Sequence, residues 1–258
     1  MELRRLCSSA FVAGIFLASA AAQQSGLPDT VKPVIDQAPM DAHSYDWMAR
    51  HNAVVDRVKQ GHVDLLLIGD SITHMWGGVP DEQAIHGRGD FLWDKYFGSR
   101  NAVNLGFGWD RTQHVLWRFE HGEIDGIHPK VAVVMIGTNN MGTNTTDDIV
   151  TGIDTIVSQL RHRLPKTKIL LLGIFPRDPK PDTPSRKQIA EVNERISVLG
   201  KEKGITYLDL GSKFLQADGT ISTDIMPDYL HPSQKGYDIW AKAMEPTLAK
   251  LFGDKPRS

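Results

Sequence analysis

Four short stretches hold side chains suited to acyl transfer, and three of them directly follow an apolar run. Gly69-Asp70-Ser71 offers a hydroxyl, Gly106-Phe107-Gly108-Trp109-Asp110 a glycine-rich backbone, and Gly137-Thr138-Asn139-Asn140 a carboxamide. Further on, Asp228-Tyr229-Leu230-His231-Pro232 places a carboxylate three residues before an imidazole. Acyl transfer needs a hydroxyl nucleophile, a neutral imidazole to take its proton, a carboxylate to fix the imidazole's tautomer, and donors for the developing oxyanion. Singly, each stretch has a plainer explanation: Ser71 a helix cap, Asn139 a turn residue, the Asp-x-x-His pair a surface coincidence. In combination and in order they outweigh it. Pro232 holds His231 extended and makes it the expected cap of a final helix, where the helix dipole disfavours protonation of a base. No GxSxG elbow, HExxH helix or GxxxxGK[ST] loop occurs. The other nine histidines lack metal-ligand spacing and are read as surface or structural, so neither metal nor cofactor is expected.

The elements that must position these residues are legible from periodicity. Compact apolar runs at Leu65 to Ile68, Ala102 to Leu105, Val131 to Ile136, Ile169 to Ile174 and Ile205 to Leu208 predict five buried strands. Amphipathic stretches lie between them. One is lined by Ile149, Ile153, Ile156, Val157, Leu160 and Leu164 and opened by Thr145 and acidic residues; another opens at Thr183-Pro184. A last one runs from Pro232 to Leu251, with Pro246 expected to kink or split it. Strands alternating with helices predict an α/β protein, a three-layer α/β/α sandwich around a five-stranded parallel sheet. In such sheets ligands bind beyond the carboxyl ends of the strands, where the first three stretches lie. The proline-rich segment Phe175 to Lys187 reads equally as a surface connection or as part of a site rim.

Composition bounds the function. The 258 residues, 41% hydrophobic and 23% charged, are ordinary for one soluble domain. Arg4 and Arg5 precede an apolar run from Leu6 to Leu17 and then Ala20-Ala21-Ala22, which predicts a signal peptide over 1–22. The run is shorter than the ~20 apolar residues that span a bilayer. A secreted or periplasmic protein without stable membrane insertion is therefore expected, with a lead segment at 23–43, a domain at 44–252 and a tail at 253–258. The net charge is near neutral and no basic run points to nucleic acid. Cys7, the only cysteine, departs with the leader, so neither disulfides nor thiolate chemistry are expected.

The blocks IGDSI, NLGFGWD, IGTNN and DYLHP together resemble the GDSL/SGNH hydrolase family, over about Val63 to Phe252. The segment from Asn104 to Asn140 is similar to the branch of platelet-activating-factor acetylhydrolase catalytic subunits. The resemblance implies a flavodoxin-like sheet, with Ser71 as nucleophile, His231 as base and Asp228 as its orienter. It implies oxyanion donors at the Ser71 N–H, the Asn139 side chain and the Trp109 N–H, where tryptophan replaces the branch's glycine and would be strained if the position needs positive φ. It further implies an acyl pocket bounded by Ile72, Thr138 and Leu230, residues whose plainer role is core packing. Asp70 is expected to stabilise the turn. The expected function is an exported carboxylic-ester hydrolase, an acetylesterase acting on O-acetylated saccharides or small acetyl esters. The alternatives are a lysophospholipase or thioesterase, an acetyltransferase, and a non-catalytic saccharide-binding module. The branch also hints at a homodimer.

Overall fold

Each of the five apolar runs becomes a strand: β1 (Leu65–Gly69), β2 (Ala102–Gly106), β3 (Val131–Met135), β4 (Lys168–Leu172) and β5 (Ile205–Leu208). All pair in parallel in the order β2-β1-β3-β4-β5. This computed structural model describes residues 26–35 and 45–257; the expected signal peptide lies outside the described residues. No helix among them is long and apolar enough to cross a membrane.

The sheet is covered on both faces because its strands are apolar throughout. Leu66, Ile68, Val103, Leu105, Ala132 and Val134 point into one core, together with residues of α1 (Trp47–Lys59), α4 (Thr112–Glu120), α5 (Thr146–Arg163) and α6 (Pro184–Ile196). Leu65, Leu67, Val131, Val133, Leu170 and Leu172 point into the other, against α2 (Ser71–His74), α3 (Trp93–Tyr96) and α7 (Gln234–Phe252). The three layers follow from this alternation.

The caps of α5 and α6 are those expected. Thr145 accepts the Asp148 N–H, and Thr183 accepts the Arg186 N–H ahead of Pro184. Three expectations are corrected. β3 and β4 end at Met135 and Leu172; the Ile174 N–H and C=O turn instead to the Asn193 carboxamide, at 2.8 and 2.9 Å. His231 does not cap α7, because Ser233 takes that place and accepts the Gly236 N–H. Of the kink or split expected at Pro246, the split does not occur, because the proline lies inside one continuous α7. Burial of Trp240, Ala241, Met244 and Leu248 on the sheet opposes the ~3 kcal/mol penalty of an interior proline.

Candidate active site

At the carboxyl end of β1, Asp70 is the N-cap of α2, its carboxylate accepting the Ile72 N–H at 3.0 Å. Ser71 is therefore the first helical residue rather than the cap, and its hydroxyl is left to other work. The end of β1 is tightly packed: a Cβ on Gly69 would lie 2.2 Å from Thr73 Oγ1 of α2 and 2.4 Å from the Met135 carbonyl oxygen of β3. Burial pushes the Asp70 carboxyl up to about 7, against the Ile72 N–H bond that favours its charge.

Ser71 Oγ lies 2.8 Å from His231 Nε2, and His231 Nδ1 lies 2.8 Å from Asp228 Oδ2. The second Asp228 oxygen accepts the backbone N–H groups of Leu230 and His231, at 3.1 and 2.8 Å. Partial burial works to raise the Asp228 pKa, but the bonds from His231 and Leu230 outweigh it and hold the carboxyl below its ordinary range. Asp228 thus stays ionised beside the imidazole, the arrangement that fixes Nδ1–H and leaves Nε2 as a proton acceptor towards Ser71.

The two glycine-containing turns meet at the same place. The Asn139 side-chain N–H donates to the Asp110 carbonyl at 2.9 Å. Trp109 adopts φ 67° and is 61% exposed. The positive φ contemplated for this position is therefore real, and for a non-glycine residue it costs on the order of 1–2 kcal/mol. The next residue anchors the turn in the core: Asp110 accepts from Trp47 Nε1 and Arg118 Nε, both at 2.8 Å, and Arg118 also pairs with Glu123. The Arg118 guanidinium lies 4.0 Å from the centre of the Phe107 ring. At the start of this block, Asn104 Nδ2 bonds the Thr73, His74 and Gly77 carbonyls, closing the C-terminal end of α2.

A cavity of about 100 Å³ opens between these groups, lined by Ser71, His231, Asn139, Gly108 and Trp109 together with Tyr45, Met75, Ile85 and Leu230. Of the three expected acyl-pocket residues, Leu230 lines it. Ile72 is buried in the core beneath α2, and Thr138 is buried with its carbonyl accepting from Arg177 at 3.1 Å; neither lines the cavity. Sequence reasoning did not find Tyr45, Met75 or Ile85, which belong to no motif. The proline-rich segment braces the backbone next to the site, Arg177 donating to the Thr138 carbonyl and the Asp178 N–H to the Tyr229 carbonyl at 2.9 Å, but none of its residues lines the cavity. A larger cavity of about 450 Å³ lies between α6 and the segment after β5 and contains none of the candidate residues. Among the described residues no three His, Cys, Asp or Glu side chains gather as a metal site.

This geometry can be set beside known proteins. The model of the GDSL-like lipase/acylhydrolase family matches residues 67–239, which span the β1 turn through the first part of α7. The chain belongs to the GDSL-like lipase/acylhydrolase family. Membership makes it a serine ester hydrolase. It is 35% identical over 230 residues to the platelet-activating factor acetylhydrolase IB subunit alpha2 of Rattus norvegicus, covering 88% of this chain and 95% of that one. To the alpha1 subunit of Homo sapiens it is 36% identical over 207 residues, covering 80% and 84%. Among solved structures it is similar to an acetylxylan esterase from Geobacillus stearothermophilus, with TM-score 0.59, 19% identity and coverage of 77% of this chain and 98% of that one. At that identity the likeness shows the shared fold.

Proposed function

We propose that this protein hydrolyses short-chain carboxylic esters, acetyl esters above all, through a Ser71-His231-Asp228 triad. The observation that carries the proposal is the unbroken chain of 2.8 Å contacts from Ser71 Oγ through His231 to Asp228, at the mouth of the small cavity. Ser71 Oγ attacks the ester carbonyl while His231 Nε2 takes its proton; Asp228 holds the imidazole and stabilises its cationic form. The tetrahedral oxyanion is received by the Ser71 and Trp109 N–H groups and the Asn139 amide. His231 then returns the proton to the departing alkoxide, and the cycle repeats with water to release the acid.

The acetyl preference is supported by cavity size, since about 100 Å³ is far below the ~300 to 1,000 Å³ of drug-sized ligand sites. It is also supported by relatives named as acetylhydrolases and a fold neighbour named as an acetylxylan esterase. O-acetylated saccharides are the proposed natural class beside small acetyl esters, with export resting on the Arg4-Arg5 and Leu6 to Leu17 pattern.

A series of p-nitrophenyl esters from acetate to octanoate tests the acyl preference. kcat/KM should be highest for acetate and fall by at least about tenfold by octanoate, the equivalent of ~1.4 kcal/mol. A preference for octanoate would contradict it.

A further inference from the structure

Tyr45 contacts the turn of the candidate oxyanion site from 63 residues away, and it touches the peptide unit that carries the Trp109 N–H. Its hydroxyl donates to the Gly108 carbonyl at 3.0 Å. On the other side of the same residue, the Gly108 N–H donates to His74 Nδ1 at 3.3 Å. That nitrogen is an acceptor because His74 uses its Nε2–H on the Gln83 carbonyl, at 2.7 Å. The Tyr45 and His74 rings stand edge to face with centroids 4.7 Å apart. His74 stays neutral: burial drives its pKa well below the ordinary value, and the neighbouring Arg50 charge adds to this. Gly108 is needed in this narrow place, because a Cβ there would sit 2.9 Å from Tyr45 Cε1.

In a trans peptide the C=O and the following N–H point in opposite directions. Fixing the Gly108 carbonyl on Tyr45 therefore fixes the direction of the Trp109 N–H. The Asp110 N–H returns to the Phe107 carbonyl at 3.3 Å, which makes Trp109 the third residue of a β-turn. Such a turn has two common forms that differ by a flip of its central peptide, one with negative and one with positive φ at the third residue. Tryptophan intrinsically favours the first, yet Trp109 adopts the second.

We propose that Tyr45 is a positioning residue: by holding the Gly108 carbonyl it keeps the 108–109 peptide in the flip state that presents the Trp109 N–H to the developing oxyanion. His74 braces the same residue from the other side. The inference rests on the serine-hydrolase mechanism proposed above, and on Trp109 being one of its donors.

Tyr45→Phe removes the hydroxyl and keeps the ring. With p-nitrophenyl acetate, kcat should fall by about ten- to a hundredfold, no more than the ~10²–10³ of deleting an oxyanion donor outright, while KM stays within about twofold. The decisive comparison repeats the substitution in a Trp109→Gly background. Glycine accepts positive φ without penalty, so the loss on Tyr45→Phe should shrink to less than about threefold. Equal losses in the two backgrounds would overturn the proposal, because a merely structural hydroxyl would act the same in both. A Tyr45→Phe kcat within about twofold of wild type would also overturn it. Ser71→Ala, assayed alongside, separates the two levels: if that variant keeps its activity, the serine mechanism itself fails, whatever Tyr45 does.

Discussion

Ser71 can face His231 because its neighbour Asp70 takes the cap of α2, so two adjacent polar residues divide two tasks that either could perform. A similar division holds at Asn139. One amide N–H binds the Asp110 carbonyl, which fixes the orientation of a side chain that also lines the cavity. Asn139→Ala should therefore remove an oriented donor without opening the core. We expect a loss of ~2.7 to 4 kcal/mol of transition-state stabilisation, read as a 10²- to 10³-fold fall in kcat for p-nitrophenyl acetate. A fall of less than about tenfold would remove Asn139 from the oxyanion site.

At the scale of elements, α2 is a single turn held by its neighbours. Asp70 caps its start, Asn104 closes its end, and Tyr237 of α7 donates to the Ile72 carbonyl at 2.7 Å. The cap has a pH signature. With the Asp70 carboxyl raised to about 7 in the native state, the folded protein retains a proton that the unfolded chain releases near pH 4. Stability attributable to this group must then decline from about pH 4 to about pH 7 and level off above it. Asp70→Asn keeps a capping oxygen and cannot ionise, so the melting temperature of the wild type relative to this variant should drop across that window. A difference that is constant from pH 4 to pH 8, measured by thermal unfolding, would contradict the raised pKa. The strands and long helices were legible from sequence because periodicity and caps report local preference, as at Thr145 and Thr183. What stayed hidden depends on distant partners. Tyr45 and Ile85 reach the cavity from unpatterned segments, Ile174 leaves the sheet for Asn193, and the cap of α7 is decided by Ser233 rather than by the histidine two residues before it.

Over the whole molecule, the parallel sheet brings three of the four chemistry-bearing turns to one edge, since every strand of such a sheet ends on the same side. The fourth, from Asp228 to His231, belongs to no strand and is tied in by the proline-rich segment and by α7. α7 is in turn anchored at its far end, where the buried Arg100 pairs with Glu245 of the helix and with Asp254 beyond it. Ser71 and His231 meet across 160 positions of sequence, which is why their contact is a property of the fold and not of either motif. The central claim is that this contact makes Ser71 a nucleophile. Its most direct test is kcat for p-nitrophenyl acetate in Ser71→Ala, with an unchanged unfolding midpoint as the control for folding. The account predicts a loss of at least about 10³-fold; activity near the wild-type level in the folded variant would contradict it.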